Sequence, residues 1–154
     1  MVKSFSKVMI AVIAFSLVMA MANCSGDKST DNSSAASNYD PMNEKGIGPI
    51  TSVTLGELDH TLADKGKKIF AEKCTPCHNT PDIDAKKIGP SVKGVTKRRT
   101  PEWIMNQLLN PVEMSQKDPI AKEEFAKYKV MMVYMGLTND DARAVLEFLR
   151  ESDK

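Results

Sequence analysis

The chain has 154 residues, enough for one domain and a tail. Its 21 basic and 20 acidic residues leave a net charge of +1, which excludes a nucleic-acid or other polyanion binder acting through bulk charge. A hydrophobic content of 42% permits a packed core, while three cysteines and two histidines exclude a disulfide scaffold, a four-thiolate zinc site and polyhistidine metal chemistry.

Residues 1–23 read as an export signal. Lys3 and Lys7 form a positive start, and Val8 to Ala22 is uncharged and apolar except for Ser16. That run is too short for a membrane span, which needs about 20 residues, but suits the apolar part of a signal peptide. Met21-Ala22-Asn23-Cys24 resembles a bacterial lipoprotein processing box, with Cys24 as the acylated residue. An ordinary signal peptide cut nearby and an uncleaved anchor are the alternatives, and each of the three exports the protein. Removing residues 1–23 takes away two lysines and no acid, leaving 19 basic and 20 acidic residues. The expected location is the periplasmic side of a membrane, held by a lipid anchor.

Residues 24–56 read as the lipidated cysteine and a polar tether. Ser25 to Asn38 has no large apolar residue and cannot bury enough surface to offset its ordering entropy. As a flexible linker the tether would have a root-mean-square reach of about 30 Å. Tyr39 to Gly56 carries scattered apolar residues (Met42, Ile47, Ile50, Val53 and Leu55) among glycines and prolines. Packing on the domain and mobility both remain open for it.

Residues 57–154 read as one all-helical domain. Leu62, Ile69 and Phe70, with Ala63, Gly66 and Ala71, form one amphipathic helix over Leu62–Lys73. Pro76, Asn79-Thr80-Pro81, Gly89-Pro90 and Gly94 mark a long loop region. Thr100-Pro101 starts a helix that Pro111 stops, and Asp118-Pro119 starts another through about Tyr128. Thr138 caps the last helix, with Asp141 three residues on and an apolar stripe of Ala142, Val145, Leu146 and Leu149. No stretch alternates as a strand would.

Cys74-Thr75-Pro76-Cys77-His78 decides the chemistry. Two thiols three positions apart can form thioethers with the two vinyl groups of one haem, and the following histidine can ligate the iron. A thioredoxin-like pair would want a βαβ pattern that is not visible. A zinc site would need a fourth strong ligand, yet Cys24 and His60 lie in the processing and tether regions. An ordinary disulfide beside an incidental histidine is the third alternative.

From Leu58 to the C-terminus the sequence resembles the class I monohaem c-type cytochromes. The resemblance implies a small helical domain wrapped around one haem c, attached through Cys74 and Cys77 and ligated by His78. Gly66 and Phe70 match a glycine and an aromatic that let the first helix cross the last closely, and Phe148 is the aromatic opposite. Ile88-Gly89-Pro90 resembles the family's Gly-Pro loop, which gives Pro90 the carbonyl that holds the haem histidine. Aligning Gly136-Leu137-Thr138 with the family's Gly-Leu-Thr makes Met132 the sixth ligand, with Met131 and Met135 as neighbouring alternatives. Val133 stands where the family often has proline. Trp103 matches a tryptophan that can bond a haem propionate; the bland reading is a core residue. The stretch from Arg98 to Pro111 also resembles cytochromes encoded beside nitrous-oxide reductase.

The resemblance implies a one-electron carrier with no small-molecule substrate and no catalytic residues. It would pass electrons from a quinol-oxidising complex to a terminal reductase or oxidase. Lys86, Lys87, Lys93, Lys97, Arg98 and Arg99 form a basic run that could steer an acidic redox partner or simply be a solvated surface. The alternative is a five-coordinate haem enzyme or gas sensor, should no methionine ligate the iron.

Overall fold

The computed structural model describes residues 40–154. The signal segment, Cys24 and the polar stretch through Tyr39 lie outside the described residues. Five α-helices follow in order: α1 His60–Lys73, α2 Pro101–Leu109, α3 Pro111–Lys117, α4 Pro119–Tyr128 and α5 Asn139–Ser152. One 3-10 turn, Val95–Lys97, precedes α2. Among the described residues there is no strand, and no helix is long and apolar enough to cross a membrane.

Local chemistry sets the helix starts. Asp59, Thr100, Asp118 and Thr138 each accept a backbone N–H of the first turn through the side chain. Thr138 and Asp141 complete a reciprocal capping box. Pro101, Pro111 and Pro119 occupy first-turn positions, where a missing N–H costs nothing. The expectation that Pro111 only stops a helix is corrected here. Asn110 closes α2 and also opens α3, a seven-residue helix not foreseen from the sequence.

The frame is the crossing of α1 and α5. A Cβ on Gly66 would lie 2.0 Å from Ala144 O and 2.5 Å from its carbonyl carbon, so only glycine permits this approach. One turn further on, the Phe70 and Phe148 rings meet at 5.5 Å, tilted by 57°. Leu146, Val145, Met114, Ile104 and Leu108 fill the core beside them.

Asp40–Leu58 forms a strap packed on this frame. Ile47, Ile50 and Val53 pack against the core. Thr100 Oγ1 donates to Glu44 O, and Val53 N donates to Glu102 Oε1 at 2.9 Å. Asp59 N donates to Glu147 Oε1 at 3.0 Å. The compact unit therefore includes residues upstream of the boundary expected at residue 57.

Candidate haem-attachment site

The cysteine motif sits where α1 ends. Cys74 is the C-cap, and its carbonyl accepts the N–H groups of Cys77 at 3.1 Å and His78 at 2.9 Å. This tight turn brings both sulfurs and the imidazole to one wall of a cavity of about 310 Å³, within the range of cofactor pockets. Apolar side chains make up much of the remaining wall: Phe70 from α1, Val92 and Val95 from the loop and 3-10 turn, Ile104 and Leu108 from α2, Ile120 from α4, and Val145 and Leu149 from α5.

The loop after the motif fixes the histidine. Gly89 N donates to Cys77 O at 2.8 Å, which folds the loop back over the motif. His78 Nδ1 lies 2.9 Å from Pro90 O. A proton on Nδ1 shared with that carbonyl leaves Nε2 with the free lone pair, as an iron ligand requires. A Cβ on Gly89 would lie 2.6 Å from His78 Cε1 and 3.2 Å from Nε2, so glycine alone lets the loop press on the ring.

Burial pushes the Cys74 thiol up to about 11, with Cys77 adding to the rise and Lys73 opposing it. Such a sulfur is a protonated thiol at neutral pH, the reverse of the depressed pKa that activates a redox Cys-x-x-Cys pair. Among the described residues no group of three or more His, Cys, Asp or Glu side chains converges on a point, as a zinc site would need.

The methionines come from a separate segment. Val130–Leu137 has no regular structure and carries Met131, Met132 and Met135, all of which line the cavity. Gln107 Nε2 lies 3.5 Å from Met132 Sδ, and Ser115 Oγ lies 3.1 Å from Met131 Sδ. Two buried cavity-lining oxygens, Gln107 Oε1 and Glu124 Oε2, have no partner among the described residues. Paired thiols, an oriented imidazole and thioethers on one largely apolar cavity fit a haem c.

A family model described as cytochrome c matches residues 63–153. The chain belongs to the cytochrome c family. It is 44% identical to the cytochrome c from Rhodothermus marinus, with a TM-score of 0.66, over 69% of this chain and 90% of that one. An engineered form of that cytochrome is 42% identical, with a TM-score of 0.65 and the same coverage. The same engineered form bound to a carbene intermediate is also 42% identical, with a TM-score of 0.63. The family is one of haem c electron carriers, and the all-helical fold is the expected one.

Other expected residues fall at several places in this cytochrome fold. The Trp103 ring lines the cavity, but its indole N–H donates to Asp118 Oδ1 at 3.1 Å. The group that the resemblance assigns to a propionate thus has a protein acceptor. Asp118 also caps α4, so this bond ties α2 to α4. In the basic run, Arg98 and Arg99 line the cavity, with Arg99 5.4 Å from the centre of the Trp103 ring. Lys87 Nζ donates to Thr75 O at 2.6 Å, bracing the motif, while Lys86, Lys93 and Lys97 are exposed.

Three positioning residues were missed from the sequence. Asn106 is buried and holds the strap. Asp153 accepts from Gly94 N, Thr96 N and Thr96 Oγ1 at 2.6–2.9 Å, pinning the loop that carries Val92 and Val95. Glu147 is fully buried between Arg143 and Arg150. The sole sequence hint for Glu147 is its arginine neighbours at helical spacing, and surface pairs show the same pattern.

Proposed function

We propose that this protein is a lipid-anchored electron carrier on the periplasmic side of a membrane. It takes single electrons from a quinol-oxidising complex and delivers them to a terminal reductase or oxidase, nitrous-oxide reductase being one candidate acceptor. The observation that supports this most is that two ligand sets line one cavity. His78, oriented by Pro90 O, and Met132 are both part of its wall.

Haem c, when bound, supplies a one-electron iron couple. Cys74 and Cys77 would hold it covalently, and the fixed turn between them sets its position against α1. Pro90 O keeps the Nδ1 proton of His78 in place, so that Nε2 stays a basic ligand. Met132 would supply a second iron ligand, and methionine together with histidine raises the potential. With both ligands in place the iron would have no open position for a substrate. Lys86, Lys93 and Lys97 provide positive charge for steering an acidic redox partner. Acylation of Cys24 supplies the anchor.

The test is an optical spectrum of the holoprotein, oxidised and reduced, with and without carbon monoxide. A low-spin spectrum with a Met–iron charge-transfer band and no change on adding carbon monoxide supports the carrier. A high-spin spectrum that shifts readily with carbon monoxide means an open iron, and replaces the carrier by a haem enzyme or sensor.

A further inference from the structure

The strap runs outside the five helices, yet side chains of α2 and α3 bind its backbone group by group. Asn106, 1% exposed, donates to Lys45 O and Ile50 O and accepts from Ile50 N, all at 2.9 Å. Met114, fully buried, accepts from Ile47 N through Sδ at 3.0 Å. A buried amide with three main-chain partners is a fixed point, because shifting the strap leaves those polar groups unpaired.

The residue after each anchor reaches a different segment. Gln107 follows Asn106 and lies against Met132 Sδ, while Ser115 follows Met114 and lies against Met131 Sδ. Successive helical residues point about 100° apart, so each neighbouring pair joins the strap to the methionine segment around the helix between them. That segment needs outside support. It has no regular structure, and residues with left-handed φ stand near its ends, Lys129 at 59° and Gly136 at 66°.

We propose that the strap is a positioning element for the sixth ligand. Through Asn106–Gln107 it holds Met132 at the cavity, and through Met114–Ser115 it holds the preceding Met131. The inference rests on the reading of Met132 as an iron ligand. It makes ligand strength a property of residues outside the segment that matches the family model, which begins at residue 63.

The test uses the full-length holoprotein and substitutions confined to the strap. In Gly48→Ala the new Cβ would lie 2.4 Å from Asn106 Oδ1. In Gly46→Ala it would lie 2.8 Å from Met114 Cε, at a φ of +70° that strains any side chain. Gly56→Ala, with no atom within 4 Å of its Cβ, is the control. The readouts are the Met–iron band, carbon monoxide affinity of the reduced protein, and hydrogen–deuterium exchange over residues 130–137.

The Gly46→Ala/Gly48→Ala pair is expected to weaken the band and speed exchange over that segment. Apparent carbon monoxide affinity should rise about tenfold, in proportion to the fraction of molecules with the methionine displaced. The control should match wild type. A pair that melts earlier with band, exchange and affinity unchanged overturns the proposal, leaving the strap a mere cover. A wild-type protein without the band overturns the ligand reading and this inference with it, whereas an intact wild-type band with an unaffected pair overturns the positioning role alone. If the pair does not fold, Gly48→Ala alone is read against the same outcomes.

Discussion

Gly89 has no side chain because the His78 ring occupies the space where one would stand. Gly89→Ala forces either the ring off the Pro90 carbonyl or the loop off Cys77 O, and is expected to cost about 1–3 kcal/mol by overpacking. Thermal melting of the holoprotein checks this, with Gly56→Ala staying within about 0.5 kcal/mol of wild type. Much of the site was legible at this scale because it is local. Cys74, Cys77 and His78 are contiguous in chemistry, and Pro90 is twelve residues from the ring that it holds. Asn106 and Asp153 were not legible. Their partners lie 56–61 and 57–59 residues away, and nothing in one stretch of sequence marks an asparagine or aspartate for burial. Trp103 shows the same limit: its ring position follows helical spacing, but the Asp118 acceptor depends on where α4 begins.

Among the elements, the α1–α5 crossing carries the clearest energetic demand. Gly66→Ala would drive a methyl group into the Ala144 carbonyl, a backbone group that cannot rotate away. A loss of about 3 kcal/mol is expected, the upper end for overpacking, read as a fall in the denaturant midpoint. Phe70→Leu, which removes one ring of the 5.5 Å pair but keeps an apolar side chain, should cost less. The two helices were readable from their amphipathic spacing, whereas their crossing at Gly66, Phe70 and Phe148 came only from the resemblance to the cytochromes. The short helix α3 was not readable. Proline both stops and starts helices, and only the fold shows that Pro111 starts one. The docking of the strap was likewise open, since its apolar residues have no period and its bonds go to Asn106, Glu102 and Met114, far along the chain.

For the whole molecule, acid stability gathers around α5. Burial would raise the Glu147 pKa, but hydrogen bonds from Arg143, Asp59 N and Arg150 outweigh it and hold the carboxyl below its ordinary value. The Thr138 and Lys65 hydrogen bonds hold Asp141 down at about 2. Both groups therefore contribute stability in full above their unfolded values, about 4.5 and about 3.8. That stability drains as pH falls through the lower folded values. Melting temperature should drop steeply below about pH 4.5. Glu147→Gln should cost about 3 kcal/mol at neutral pH, by removing the negative charge that two arginines share and turning one acceptor oxygen into a donor, and should flatten the acid limb. The docked strap sets a further limit at this scale. Thr100 holds Glu44 on the helices, so only the 20 residues from Cys24 to Asn43 separate the proposed acyl group from the first docked residue. Even pulled straight they span no more than about 70 Å, under two-thirds of the leash that a chain free to residue 56 would give. On the proposed acylation of Cys24, the carrier would be confined to a layer of that depth above the bilayer, and a partner would have to present its electron-transfer face within it.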